Sequence, residues 1–480
     1  VIISKSASKK TPSQTQKAIE SAIQSPEDQT KVDNSEVPAQ SSQEQFAKLT
    51  VTYEERIFEI QAKFTYGLMT FLDNQRGQGF SKDQFNQLKS TIGESFEQAL
   101  GAPSANSVSK SELFFVKEII FFDALDLVGA RNSACRKALS SDGKVSSADL
   151  MLVINNICLA QKPPVQNETE TKKLKEKLGW FYDVYVAPRN SDSRLKLVSA
   201  ETKASSHSTM IRVGAALVVG FILGTISFFL STYFLFKLIL RKAKFGFEIP
   251  KIPSEYCLEI FFIYMLSMNL LPIALRLPEL RPYLLPINGI AITSFSLIVL
   301  WPCFFSQDLS DILDSLGLRI GGIGKLLRDT FVGIISYVAA MIPVLLVLTL
   351  YSFVLVLFEV DVSSGTHPIV PILTESKSDS TIIWIMLLAV VVAPFVEEIM
   401  FRGALYSWLR ARSGAAVSIF VSSFIFAMIH PQGLIGIVPL TCIGVVLALI
   451  REWRGNLTSC MIAHACFNGG TLLIALNLLR

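Results

Sequence analysis

Between residues 211 and 478 the sequence passes through eight apolar stretches, at about 211–237, 256–275, 283–305, 330–358, 381–401, 414–432, 433–450 and 456–478. Each is close to the ~20 residues that a helix needs to cross a hydrocarbon layer of about 30 Å. In lipid a backbone must satisfy its own polar groups, so a run of this kind can only be a helix or part of a closed barrel. The runs are unbroken rather than alternating, which selects helices. Half of the 480 residues are hydrophobic and 18% are charged, a balance too apolar for an ordinary soluble enzyme. The expected fold is all-α: a polytopic membrane protein with about eight transmembrane helices, preceded by a small helical extramembrane domain.

The first 210 residues have a different character. Residues 1–45 are rich in Ser, Gln, Lys and Glu and nearly lack aromatics, so they are expected to stay disordered. From 46 to 185 apolar residues recur at helical spacing, as in ERIFEIQAKFTYGLMTFL and SELFFVKEIIFFDALDLV, with breaks at RGQG, GAPSANS and SSDGK. The stretch SSDGKVSSADLMLVI has the look of half a calcium-binding loop. Counting back from Gly143, however, puts Ala138 at the first ligand position and leaves Asp142 and Asp149 as the good donors, so a capped helix start is the better reading. Residues 186–209 read as a polar tether, and 210–480 as the membrane domain. The outer domain holds two cysteines, Cys135 and Cys158, which could pair; the other five lie in or beside apolar spans without metal-ligand spacing.

Lys and Arg set the expected orientation. Arg241, Lys242, Lys244, Lys251, Arg319, Lys325, Arg328, Arg402, Arg410, Arg412, Arg451 and Arg454 all follow odd-numbered spans. The other side has Arg276, Arg281 and an acidic segment with Asp361, Glu375 and Asp379 against Lys377. This puts the odd-span ends in the cytoplasm and both termini outside, in a multi-pass protein expected in a bacterial inner membrane. The chain starts at Val rather than Met and shows no export signal, so a cleaved or omitted leader would fit an external domain.

Within the membrane domain a few polar residues stand out by their cost. A charge near the bilayer centre is unfavourable by roughly 2.5–3.5 kcal/mol on insertion scales, so such residues face a bundle interior and serve a function. In FVEEIMFRG, Glu398 and Arg402 are four apart on one helical face and can pair, which leaves Glu397, about 100° round the helix, free for chemistry. His430 is almost as far from the turn at 412–414 as Glu397 is, about 24 Å for each at 1.5 Å per residue. His464 enters the next hairpin by about 15 Å, and Asn468 follows at i+4 on the same face.

Taken together, E-E-x-x-x-R (Glu397, Glu398, Arg402), F-x-x-x-H (Phe426, His430) and H-x-x-x-N (His464, Asn468), in this order on hydrophobic helices, resemble the CPBP family of intramembrane proteases. That family includes CAAX-processing endopeptidases and bacteriocin-processing or self-immunity proteins. The resemblance is clearest over about 381–475 and does not cover the first 210 residues. It implies a glutamate-dependent peptidase in which Glu397 with His430 activates water, His464 and Asn468 donate hydrogen bonds to the oxyanion, and Glu398 with Arg402 holds the helix.

Two other readings stay open. Glu397, His430 and His464 would make a legitimate zinc set with an open position, although no cofactor is the first expectation. The chain could instead be a non-proteolytic membrane scaffold or immunity factor acting through its outer domain. Expected partners are membrane lipid, a membrane-associated peptide or protein substrate, and a further partner for the N-terminal domain; none is a nucleic acid.

Overall fold

A computed structural model describes residues 40–74, 81–101, 112–139, 145, 147–159, 168–187, 199–240, 242, 245–274, 284–319, 321–358, 378–430 and 433–479. Every element among them is helical, with no strand. The expected disorder of residues 1–39 and the SSDGK loop both lie outside the described residues. A helix already begins at Gln40, inside the stretch expected to lack structure.

The N-terminal helices are α1 (Gln40–Asn74), α2 (Lys82–Gly101), α3 (Glu112–Ala124), α4 (Val128–Leu139), α5 (Ala148–Cys158), α6 (Glu168–Leu178) and α7 (Trp180–Val186). Helix α3 is apolar nearly all round, and such a helix belongs in the middle of a fold. Accordingly Val116, Ile119, Ile120, Phe121 and Phe122 are all buried. Phe58 of α1 meets Phe114 at 5.1 Å and Phe181 at 5.9 Å, and Phe181 meets Trp180 at 4.9 Å, so aromatic rings join α1, α3 and α7. Cys135 and Cys158 are bonded as a disulfide that ties α4 to α5. Helix α5 does start where a capped helix was expected, but the Ser147 side chain makes no cap bond. Its backbone N–H donates to Glu112 instead, and Asp149 pairs with Lys177.

The tether expected over 186–209 needs correction. Residues 200–209 are the first turns of α8 (Ala200–Ile239), a single helix that runs on as the first apolar span. The Ser199 hydroxyl caps it by accepting from the Thr202 N–H. The Thr202 hydroxyl in turn donates to Asp183 at 2.7 Å, and the Trp180 indole donates to Ser206 at 3.1 Å. Gly67 of α1 lies so close to the Ser206 carbonyl that a Cβ there would be 2.7 Å away. The N-terminal helices are thus docked directly on the helix that runs on as the first apolar span.

The other apolar segments form α9 (Ser254–Ala274), α10 (Leu284–Ser294, continuing as a 3₁₀ helix over Phe295–Phe305), α12 (Ile323–Leu357), α13 (Asp379–Arg412), α14 (Ala415–Met428), α15 (Gly433–Arg454) and α16 (Thr458–Leu479). Stretches of α8, α12, α13, α15 and α16 are long and apolar enough to cross a membrane. Gly289–Phe305 and Ala415–Met428 are shorter apolar helices. A further helix, α11 (Leu309–Leu316), was not expected; it ends at Gly317, whose φ of 78° closes the helix in the left-handed region.

Helix α12 packs against α8, α15 and α16. Its Pro343 has no N–H, so the Ala339 carbonyl four residues back lacks its helical donor. The Ser227 hydroxyl of α8 supplies one at 3.1 Å and accepts from the Ile342 N–H at 2.9 Å. The ends of the odd-numbered spans gather on one side. Gly246 bonds to the Glu452 carbonyl, Arg412 pairs with Glu255, Arg454 with Asp329, and Lys251 with Asp314. The Lys251 hydrogen bond holds the Asp314 carboxyl below its ordinary range and raises Lys251 in return. At the opposite end Arg212, at the start of the first span, donates to the Asn477 carbonyl near the end of the last.

Candidate active site

Helix α13 carries the acidic pair, and it is not a regular α-helix. It widens into π turns twice, over Leu388–Val392 and over Ile399–Leu405. Such interruptions inside α-helices frequently mark functional sites. The first has a reason in the sequence. The Ala393 N–H bonds five residues back to the Leu388 carbonyl, and the next residue is Pro394, which has no N–H to offer Ala389. The Asn468 side chain of α16 fills that role, donating from Nδ2 to the Ala389 carbonyl at 2.8 Å.

The second π turn begins just after Glu398. Arg402 Nη1 donates to Glu398 Oε1 at 2.9 Å, as the i,i+4 spacing predicts, and both side chains are buried. Arg402 Nη2 reaches the Gly444 carbonyl of α15 at 3.3 Å, and the guanidinium carbon lies 4.4 Å from the centre of the Phe426 ring. A cation over an aromatic face is attracted by the ring quadrupole, so the buried charge is held on three sides. Gly403 lets α11 come close: a Cβ there would sit 3.2 Å from the Leu316 carbonyl.

His464 stands between the two glutamates. Its Nδ1 is 2.8 Å from Glu398 Oε1 and its Nε2 is 3.8 Å from Glu397 Oε2. The glutamates differ sharply in access: the Glu398 side chain is 0% exposed, that of Glu397 is 21%. Since an ionised carboxylate can only accept, His464 presents an N–H from Nδ1 to Glu398. Its Nε2 is the end turned towards Glu397.

His430 sits two residues beyond the end of α14. At about 1.5 Å per residue its 14 residues climb roughly 21 Å, less than the ~30 Å thickness of a hydrocarbon layer. Its Nδ1 is 2.7 Å from the Phe426 carbonyl. A carbonyl only accepts, so Nδ1 carries the proton and Nε2 is left as the basic end. The Phe426 ring is packed between the imidazoles, 4.5 Å from His430 and 5.8 Å from His464.

Of the six residues singled out in the sequence, Glu397, Glu398, Arg402 and His464 are linked directly. His430 joins them across Phe426, and Asn468 is bonded to the first π turn at Ala389, about two helical turns before Glu397. Two pairings differ from expectation. Glu398 binds His464 as well as Arg402, and the imidazole beside Glu397 is that of His464 rather than His430. Among the described residues no three His, Cys, Asp or Glu side chains are gathered closely enough to hold a metal ion. Sequence reasoning passed over Gly444 and Arg451 on α15, which brace the second π turn; nothing in an apolar run distinguishes a glycine whose carbonyl is used, and Arg451 looked like an ordinary charge at a span's end.

Comparison with curated proteins and with solved structures gives no significant match. Comparison with family models gives one: residues 379–470, from the start of α13 to the middle of α16, match the type II CAAX prenyl endopeptidase Rce1-like family. That stretch holds Glu397, Glu398, Arg402, His430, His464 and Asn468, and over it this integral membrane protein is similar to the Rce1-like family of CAAX endopeptidases.

Proposed function

We propose that the chain is an intramembrane endopeptidase of glutamic type, hydrolysing a peptide bond of a membrane-associated protein or peptide. The observation that carries this reading is the unequal treatment of two adjacent carboxylates. Glu398 is sealed by Arg402 and His464, whereas Glu397 keeps an accessible side chain beside the same imidazole. A carboxylate that takes a proton from water needs that access.

In the proposed reaction Glu397, with the basic Nε2 of His430, draws a proton from a water that attacks the peptide carbonyl. Catalytic contacts are often long before substrate binds and tighten only in the complex, so the pairing of Glu397 with His430 is assigned to the substrate complex. His464 and Asn468 then donate to the oxyanion, and its collapse breaks the C–N bond as Glu397 passes its proton to the leaving amine nitrogen. With Nδ1–H on Glu398, a donating His464 carries both ring protons. Asn468 has two N–H groups, of which the Ala389 carbonyl takes one. Glu398 and Arg402 set the angle of His464 and keep the helix in place. The outer domain is proposed to lie on the non-cytoplasmic side, where the Cys135–Cys158 disulfide would be chemically at home.

The test is to compare membranes containing the wild-type protein with membranes containing Glu397→Gln, and to identify new peptide ends by mass spectrometry. The substitution keeps size and hydrogen bonding but removes the base, so the new ends should vanish while the protein stays folded. Wild-type cleavage should survive exhaustive chelation. Loss with chelator and rescue by zinc would replace this mechanism with a metal-dependent one, and cleavage by Glu397→Gln would remove Glu397 from the chemistry.

A further inference from the structure

The second π turn of α13 also leaves a carbonyl to be satisfied from elsewhere, and its donor has no part in the chemistry proposed above. The Tyr406 N–H bonds five residues back, to Phe401. Four-residue spacing resumes in Tyr406–Arg412, so the Ser407 N–H falls to Gly403 and the count skips the carbonyl of Arg402. Arg451 Nε donates to that carbonyl at 3.1 Å. Its Nη1 donates to the Gly455 carbonyl and its Nη2, at 3.5 Å, to that of Ser315. The guanidinium lies 5.0 Å from the centre of the Phe247 ring and occupies the space where a Cβ on Gly317 would have to go.

Arg451 is 1% exposed and makes no ion pair among the described residues; the contacts on its guanidinium are carbonyls and a ring. Burying a charge without a counter-ion is expensive, and a residue kept under those terms needs a task. Gly444, whose carbonyl receives Arg402 Nη2, lies seven residues earlier on the same face of α15. One face of α15 therefore grips the π turn through both the side chain and the backbone of Arg402.

We propose that Arg451 is a positioning residue for the active site: by capping the Arg402 carbonyl it holds the π turn, and so fixes the directions of Glu397 and Glu398. A π turn contains one residue more than the α-helix it interrupts. Its collapse would rotate one side of α13 against the other by about 100°, which would take Glu398 off His464. The inference rests on the reading of Glu397 as the base, but its first test does not.

That test uses the full-length protein in lipid nanodiscs, as wild type, Arg451→Met, Arg451→Lys and Glu397→Gln. Amide hydrogen exchange over residues 399–410 should be about tenfold faster in Arg451→Met, intermediate in Arg451→Lys, and unchanged in Glu397→Gln. On a farnesylated fluorogenic peptide with a CAAX tail, Arg451→Met should lose kcat by about tenfold or more with KM within about twofold, and its pH–rate profile should shift because Glu398 no longer orients His464. Should Arg451→Met fail to accumulate, Arg451→Lys carries the same readouts. Unchanged exchange over 399–410 overturns the proposal, as does a lower folded yield with kcat and pH profile intact. Cleavage by Glu397→Gln overturns the reading of the base instead, and leaves the exchange experiment to judge the clamp.

Discussion

Two glutamates that are neighbours in sequence are not equivalent once the helix is formed, because successive residues point about 100° apart. Glu398 turns into a closed nest of Arg402, His464 and Phe426, and Glu397 stays at its edge. Removing one member of a buried ion pair typically costs 3–5 kcal/mol, since the partner is left charged and alone. Glu398→Gln can still accept from Arg402, so a destabilisation of roughly 3 kcal/mol is expected, together with loss of activity. Thermal unfolding in detergent, followed beside turnover, measures both. The reversed pair, Glu398→Arg with Arg402→Glu, should not recover either property, because the new guanidinium would face His464 Nδ1. Recovery of stability by the reversal would mean that the His464 contact contributes nothing. The i,i+4 pair could be read from spacing alone. The third partner could not, because His464 comes 66 residues later on another helix.

At the scale of whole helices, the apolar lengths in the sequence locate eight helical segments, because lipid leaves the backbone no other option, but α8 starts 11 residues before its apolar run and α13 ends 11 residues after its own. What they do not reveal is where a helix departs from regularity. Pro394 marks one of the two π turns in α13, but the other has no proline, and its cause lies in Arg451 and Gly444 of a different helix. In α12 a proline does announce the defect, and the remedy comes from Ser227 of α8. Hydrogen bonds between membrane helices average about 0.6 kcal/mol and reach about 1.7, so Ser227→Ala should cost on the order of 1 kcal/mol. In a Pro343→Ala background the new N–H can serve Ala339 within its own helix, and the cost of Ser227→Ala should fall towards zero. A double-mutant cycle on thermal or denaturant unfolding tests this, and additive effects would show that Ser227 does not act through the orphaned carbonyl.

The charges at the span ends show how one residue type answers two questions at the level of the whole molecule. Counted along the sequence, they give an alternation in which all odd-span ends share a side, and the structure does bring those ends together. Yet several of these charges are not headgroup anchors. Arg451 is buried against carbonyls, Arg454 pairs with Asp329, and Arg410 with Glu452. Interior and interfacial charges here lie at the same end. The N-terminal domain was legible as helical, but its attachment was not, since a polar segment such as AETKASSHST can be a tether or a docked helix with equal ease until its partners Asp183 and Trp180 are placed. The orientation makes a testable claim. A protease site inserted near Asp311 should be cut only from the cytoplasmic side, and one near Leu159 only from the other. The disulfide adds an independent check, because it forms and persists in oxidising compartments. Closing a loop of 23 residues is worth about 3 kcal/mol in the chain-entropy account. Replacing Cys135 and Cys158 together by Ser should therefore lower the unfolding temperature of the outer domain, and reductant should lower that of the wild type by the same amount while leaving the double variant unaffected. If membrane-impermeant reductant acts from the cytoplasmic side alone, the proposed orientation is reversed, and the active site must be approached from the opposite face.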